Sequence, residues 1–106
     1  MKSKKKPEKL KNLLDEIRDR IEKGEFTFTK HALERQNERI ITTVAVLYVL
    51  KTGYEEKTKT RFDIEKNTWK YAIRGKTSKE QKDIRVIVSF DENGMLIITV
   101  MHVEGI

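Results

Sequence analysis

The spacing of apolar residues predicts two helices in the first part of the chain. Apolar residues three and four positions apart follow Pro7, which suits a first helical turn, and the run ends at Gly24. The stripe consists of Leu10, Leu13, Leu14, Ile17 and Ile21. A second helix is expected over residues 30–39, because Thr29 belongs to the residue types that cap helix N-termini well.

A third helix is predicted to begin at Thr42 or Thr43, either of which can cap it, and to end at Gly53. Its β-branched residues lower its intrinsic helix propensity. Between the first two helices, residues 26–29 alternate only briefly between phenylalanine and threonine. This part of the chain is therefore interpreted as mainly helical.

From Tyr54 onward the apolar period changes to two, which is typical of β-strands. Trp69 and Tyr71 share one face of a predicted strand, and residues 91–94, Asp-Glu-Asn-Gly, are a hairpin-turn sequence. The predicted strands span 55–64, 69–74, 84–90 and 95–103. Because helices precede strands without alternating with them, we expect an α+β fold, with two to three N-terminal helices packed on an antiparallel sheet of about four strands.

The length of the chain fits one domain. A chain of 106 residues can close one hydrophobic core but not two, so a single domain over residues 1–106 is expected. We divide it into an N-terminal amphipathic helix (1–24), a helical region (25–53) and the sheet (54–106). Apolar residues make up 37% and charged residues 38% of the sequence, which favours a compact core beneath a charged surface over a disordered chain.

The charge balance favours a polyanionic partner. The chain has 23 Lys and Arg against 17 Asp and Glu, a net charge of +6, which suits RNA binding without proving it. There is no cysteine, so disulfides and thiolate zinc sites are excluded. No apolar run approaches the ~20 residues of a membrane span. A cytoplasmic protein with no membrane association is expected.

The second predicted helix carries a cationic stripe. His31, Arg35 and Arg39 are four residues apart, so their side chains recur on nearly the same face. Two guanidinium groups can hold a phosphodiester while an imidazole moves a proton. The alternative is that Glu34 and Glu38 neutralise the arginines and that His31 only faces water near the helix start. Spacing alone leaves both interpretations open.

RNA cleavage without a metal needs a base, an acid and cations that stabilise the transition state. Arg74 and Arg85, on predicted strands, are candidates to complete the site from the sheet, and Tyr71 is a candidate proton donor or stacking platform. The competing interpretation places Trp69 and Tyr71 in the core. For His102, packing is favoured, and two histidines are too few for a dedicated metal site. No cofactor is expected.

The run His-Ala-Leu-Glu-Arg-Gln-Asn-Glu-Arg-Ile over residues 31–40 resembles the start of domain-of-unknown-function family 4258, which opens with a similar His-Ala-x-x-Arg-x-x-x-Arg signature. Residues 69–75, 84–88 and 96–100 also look like strands of that family, in the same order. The resemblance covers about residues 28–101. A methionine often follows the first signature arginine in the family, where this chain has Gln36.

This resemblance implies a fold like that of the RelE and barnase-type toxins and a link to toxin–antitoxin operons. It also implies a cognate antitoxin, often a zinc-finger protein of the YgiT type. By the same resemblance, the family's site positions fall on His31, Arg35, Arg39, Tyr71, Arg74, Arg85 and Thr99. The last of these is a candidate only through the resemblance.

The leading hypothesis is a metal-independent endoribonuclease toxin of a type II toxin–antitoxin pair, cleaving RNA by attack of the 2′-hydroxyl on the phosphodiester. In it His31, Arg35, Tyr71 and Arg74 are catalytic, and Arg39, Arg85 and Thr99 bind RNA or phosphate. The alternative is a module that grips RNA or an acidic protein with the same basic face and cuts nothing. A third possibility is an inactive, immunity-like partner protein.

Overall fold

A computed structural model describes residues 6–103, which form an α+β fold as predicted. This part of the chain contains three α-helices, six β-strands and one short 3₁₀ turn at Lys57–Lys59. The helices are α1 (Leu13–Glu22), α2 (Lys30–Arg39) and α3 (Thr43–Thr52). The strands are β1 (Phe26–Phe28), β2 (Tyr54–Glu55), β3 (Arg61–Asp63), β4 (Thr68–Lys76), β5 (Asp83–Asp91) and β6 (Gly94–His102).

The six strands form one mixed sheet in the order β1-β6-β5-β4-β2, with β3 also pairing with β4. Strand β1 runs parallel to β6, and every other pairing is antiparallel. The expectation of about four strands, all antiparallel, was therefore wrong. The brief alternation at residues 26–29 is a real strand, and its hydrogen-bonding partner lies some seventy positions later in the sequence.

The second strand beyond the predicted four arises at the sheet edge next to β4. A single strand was predicted over residues 55–64, but the 3₁₀ turn divides it into β2 and β3. Across this interruption the Glu56 N–H donates to the Ala72 carbonyl at 2.8 Å, and the Ala72 N–H donates to Thr60 Oγ1 at 3.2 Å. The backbone of β4 thus stays hydrogen-bonded although its neighbouring strand is broken.

The helix boundaries follow their caps. Thr29 and Thr42 each accept a hydrogen bond from the backbone N–H three residues later, so α2 and α3 begin where predicted. Helix α1 starts later than the predicted stripe, at Leu13. The residue Leu10 precedes it, and its N–H instead donates to the Tyr71 hydroxyl at 3.0 Å.

Helices α1 and α3 lie against one side of the sheet, which we call the covered face, and the hydrophobic core fills the space between them. Its fully buried side chains are Ile17, Val46, Val49, Leu50, Ile73, Ile84, Val86, Val88, Met95, Ile97 and Val100. Removing this apolar surface from water is the main stabilising contribution to the fold. No helix among residues 6–103 is long and apolar enough to cross a membrane.

The opposite side of the sheet, which we call the open face, carries the polar residues of the alternating strands. Arg74 lies opposite Arg85, and Ile87 opposite Thr99, so these four residues share the open face. They are only partly buried. The open face is therefore where the sheet can present charged side chains to a ligand.

Candidate functional site

Thr29 fixes the start of helix α2 to the sheet. Its backbone N–H donates to the Ile97 carbonyl at 2.9 Å, and its hydroxyl donates to the Ile98 carbonyl at 3.0 Å. The same hydroxyl accepts from the Ala32 N–H at 3.1 Å. Ile98 is the additional residue of a β-bulge, where β6 slips by one relative to Ile87 and Val88. Helix capping and the bulge together hold the first turn of α2 beside the open face.

His31, the second residue of α2, is exposed and lines a cleft of about 430 Å³ on the open face. Leu96 and Ile98 supply apolar walls, and Thr29, Thr68 and Ser89 supply hydroxyl groups. Phe90 also lines the cleft, although its ring packs against Tyr71 on the covered face. The remaining lining residues are Lys66, Lys70 and Asp91. An imidazole, two ammonium groups and several hydroxyl groups thus surround one apolar-walled hollow.

The charges around the cleft are partly balanced. Lys70 Nζ lies 3.1 Å from the Asp63 carboxylate, and this hydrogen bond lowers the pKa of Asp63. Asp91 Oδ1 accepts from the Asn93 N–H at 2.8 Å, which directs that carboxylate toward the hairpin turn. Lys66, in the turn between β3 and β4, is exposed. It is the cation of the cleft best placed to meet a solvent-borne anion.

The predicted stripe of His31, Arg35 and Arg39 is divided in the structure. Arg35 Nη1 lies 2.6 Å from the Glu38 carboxylate, and Arg39 Nη1 donates to the Val100 carbonyl on β6. Neither arginine lines the cleft that contains His31. Each step of four residues rotates the side chain by about 40° around an α-helix, so two steps turn Arg39 well away from His31.

The two strand arginines lie in an ion-pair network with two acids. Arg74 donates to Asp83 at 2.7 Å and to Glu56 at 3.1 Å, and Arg85 donates to Glu56 at 2.6 Å. The Glu56 and Arg85 side chains are only 14% and 16% exposed, which shields their interaction from water. We call these four residues the ion network. Its two positive and two negative charges cancel.

The ion network shifts the pKa values of Glu56, Asp83 and Arg74. Hydrogen bonds from Arg85 lower the pKa of Glu56, with Arg74 adding to the effect. A hydrogen bond from Arg74 likewise lowers the pKa of Asp83, and the same contact raises the pKa of Arg74 above its ordinary value. Glu56, Asp83 and Arg74 therefore keep their charges across the physiological pH range, and the network stabilises the sheet edge.

Tyr71 lies on the covered face, 4% exposed, and its hydroxyl accepts the hydrogen bond from the Leu10 N–H. Burial raises the pKa of this phenol. Trp69, on the same face, donates through Nε1 to the Pro7 carbonyl at 2.7 Å, and the Lys6 ammonium lies 4.6 Å from its ring centroid. These two aromatic residues hold the segment before α1, and Tyr71 is on the opposite side of the sheet from the His31 cleft.

Comparison with known families adds one finding. A family model described as Domain of unknown function (DUF4258) matches residues 28–102, well over half of the chain. The chain belongs to the DUF4258 family. No curated protein and no solved structure matches it. The resemblance inferred from the signature at residues 31–40 is thereby confirmed.

The DUF4258 region begins with the last residue of β1 and ends with that of β6, so it contains both the His31 cleft and the ion network, while α1 lies outside it. Gln36, where the family often has methionine, is buried. Its Nε2 donates to the Ile41 carbonyl at 3.1 Å and to Thr43 Oγ1 at 3.2 Å. This DUF4258 chain thus uses an amide to connect α2 to the start of α3.

The structure also locates Thr99 and His102, two residues considered in the sequence analysis. Thr99 lies on the open face opposite Ile87, and His102, at the end of β6, donates from its ring Nε2 to the Arg39 carbonyl at 3.0 Å. That contact gives His102 a helix-capping role, in keeping with the packing role expected for it.

Within residues 6–103, no group of three or more His, Asp or Glu side chains is arranged to hold a metal ion.

Sequence reasoning missed Lys66 and Ser89 as cleft residues, and Glu56 and Asp83 as the partners of the arginines. Lys66 is one of many lysines and lies in a turn. Glu56 is 18 positions from Arg74 and 29 from Arg85. No local spacing in the sequence indicates contacts between residues so far apart in the chain. Acidic residues close to the ends of a predicted strand are the one signal that its arginines could be paired.

Proposed function

We propose that this chain binds single-stranded RNA on the open face and cleaves it, acting as a metal-independent endoribonuclease toxin of a type II toxin–antitoxin pair. The observation that carries the proposal is the position of His31. Its imidazole, a group able to accept and donate a proton, lines a concave hollow together with Lys66 and Lys70. A hollow of about 430 Å³ lies within the size range of small-ligand pockets, which suits an unpaired base better than a double helix.

In the proposed reaction His31 acts as the general base and takes the proton of the 2′-hydroxyl. The 2′-oxygen attacks the adjacent phosphorus, a 2′,3′-cyclic phosphate forms, and the bond to the 5′-oxygen breaks. Water supplies the proton for that leaving oxygen, and the resulting hydroxide takes the proton held by His31, which restores the neutral base. Lys66 and Lys70 stabilise the charge that builds up on the phosphoryl oxygens. No step requires Tyr71, Arg74 or Arg85.

Arg35 and Arg39 keep a supporting role in this proposal. The Arg35–Glu38 pair is exposed on the Glu38 side, 57%, and exposed pairs contribute little to stability. A flanking phosphate therefore replaces Glu38 at small cost. Arg39, bound to the Val100 carbonyl, fixes the C-terminal turn of α2 to β6 and so helps to position the helix that presents His31.

The test is turnover by the purified protein in EDTA. We expect RNA fragments ending in 2′,3′-cyclic phosphate, and a loss of about a hundredfold or more in cleavage rate for His31→Ala. His102→Ala is the matched control, because it removes the only other histidine of the chain, and it should retain most of the activity. Equal cleavage by wild type and His31→Ala would contradict the assignment of the base.

The second candidate is an RNA- or protein-binding module without chemistry. The ion network favours it, since two arginines predicted to act on RNA are neutralised by Glu56 and Asp83. Both candidates predict that log K for RNA falls as log[salt] rises. Only the binding module predicts RNA affinity with no cleavage products in the same assay.

In the cell, the proposed ribonuclease activity is expected to be toxic. We propose a cytoplasmic protein that arrests growth on expression and is neutralised by a cognate antitoxin encoded beside it, with a zinc-finger protein of the YgiT type as the candidate. Growth arrest should depend on His31 and should be relieved by co-expressing the neighbouring gene. Arrest that persists in His31→Ala would separate toxicity from the proposed chemistry.

A further inference from the structure

The junction between α2 and α3 exposes a group of large apolar side chains. Ile40 is 85% exposed, Val44 75% and Leu33 53%. Single exposed apolar residues are ordinary on protein surfaces, but here Ile40 shares one hollow with Val44 and another with Leu33. We call them the junction patch. Its members add nothing to the core, so their apolar character needs another explanation.

Ile40 also has an unfavourable backbone. It is the C-cap of α2 and adopts φ 54° and ψ 53°, the left-handed region that glycine or asparagine usually occupies at this position. A β-branched side chain there brings Cβ close to the backbone carbonyl, which costs free energy. A glycine would satisfy the helix end better. The strained, exposed isoleucine therefore points to a function for its side chain.

A groove of about 470 Å³ lies beside Ile40. Ile41, Ala45 and Ile84 contribute apolar surface to it, and Lys79, Lys82 and His102 contribute basic groups. None of its lining residues belongs to the His31 cleft. The groove therefore forms a second candidate surface, at the C-terminal end of α2, with an apolar interior and a mainly basic rim.

We propose that this groove and the junction patch bind an amphipathic, acidic segment of a partner protein. An apolar side of such a segment covers Ile40 and Val44, and its carboxylates meet Lys79 and Lys82. The Lys82–Glu80 pair, at 3.4 Å and exposed at both ends, gives way readily to a partner's carboxylate. The N-terminus of α3, marked by Thr42, adds partial positive charge at the same groove.

A second copy of this chain suits the surface less well. A two-fold dimer would place one basic rim against another, between chains that each carry a net charge of +6. An acidic partner removes that repulsion. This inference does not depend on ribonuclease activity, because it concerns different residues and a binding measurement alone tests it.

The experiment uses a fluorescent peptide of about 18 residues, five helical turns, with leucine at helical spacing and glutamate on the other face. Its control peptide has lysine in place of every glutamate. We expect saturable binding of the acidic peptide only, and at least tenfold weaker binding to Ile40→Asn. Ile64→Asn is the matched control, since Ile64 is an equally exposed isoleucine, 84%, in the β3–β4 turn.

Thermal unfolding checks the variant itself. Asparagine tolerates the left-handed conformation, so Ile40→Asn should unfold at or above the wild-type temperature. Three results would overturn the proposal: no saturable binding of the acidic peptide, equal binding of the two peptides, or unchanged affinity for Ile40→Asn. Concentration-dependent dimerisation that Ile40→Asn abolishes would also overturn it, by assigning the surface to a second copy.

Discussion

Two clusters of charged residues lie at opposite ends of the same sheet face, and they differ in what surrounds their cations. At one end, Arg74 and Arg85 are held by Glu56 and Asp83 in a network whose charges cancel. At the other end, His31 lines an apolar-walled cleft with an exposed lysine. Positive residues that look equivalent in the sequence thus have different surroundings, according to whether a carboxylate is within reach.

The sheet register explains the ion network. Residues Arg74 and Arg85 are directly opposite each other on β4 and β5, where like charges destabilise a strand pair. Glu56 comes from the segment after β2 and contacts both guanidinium groups, so it converts the repulsion into attraction. The network is therefore explained by the stability of the sheet.

The largest expected effect on stability comes from removing the carboxylate between the two arginines. Glu56→Ala should lower the free energy of unfolding by about 2 kcal/mol, because two charge-assisted hydrogen bonds are lost from a largely buried site. Chemical denaturation measures this, with Glu38→Ala, which breaks an exposed pair, as the smaller control. RNA cleavage by the folded variant should be unchanged; a selective loss of cleavage would place the network in the site.

Acid should weaken the same network. The folded-state pKa values of Glu56 and Asp83 are lowered from 4.5 and 3.8, so their contribution to stability is complete above those values. It is lost as the pH falls below about 4 toward the folded-state pKa values. Denaturation at a series of pH values should show this decline, and Glu56→Gln should show less of it. An identical decline in the variant would contradict the assignment.

A smaller effect is expected from Tyr71→Phe. Loss of the hydroxyl removes one hydrogen bond to the Leu10 N–H, which should cost about 1 kcal/mol of unfolding free energy. Because Tyr71 lies on the covered face, the cleavage rate should not change. A drop in rate of tenfold or more, in a folded variant, would show that Tyr71 has the catalytic role for which the sequence made it a candidate.

The smallest effect is expected from the exposed lysine of the cleft. Lys66→Ala should weaken RNA binding severalfold and reduce the slope of log K against log[salt] by about one phosphate contact. Lys76→Ala, at the ion-network end of β4, is the matched control and should leave the slope unchanged. If Lys76→Ala reduced the slope and Lys66→Ala did not, RNA would instead bind at the ion-network end of the open face.

The parts of the fold that depend on local signals were predictable. Helix α2 has a threonine cap at Thr29 and was predicted with its observed bounds, and the hairpin at residues 91–94 has its own turn sequence. Strand β1 was not, because three residues acquire strand identity only by pairing with β6. The interrupted edge at the 3₁₀ turn likewise depends on contacts with Ala72.

The candidate site was likewise only partly predictable from the sequence. Helical spacing singled out His31, but it also grouped Arg35 and Arg39 with it, because a stripe on a helix does not show how the helix lies on its neighbours. Alternation placed Tyr71 and Trp69 on one face without indicating which face helices cover. Lys66 has no sequence signal at all. Which charges remain available to a ligand is a property of the tertiary structure.

The most direct test is an NMR titration with a 2′-O-methyl oligoribonucleotide, which lacks the attacking hydroxyl and cannot be cleaved by the proposed route. We predict that the resonances of Thr29, His31, Lys66 and Ser89 shift, in a salt-dependent and saturable manner, while those of Glu56 and Arg74 stay in place. Shifts concentrated on the ion network, with His31 unaffected, would contradict it.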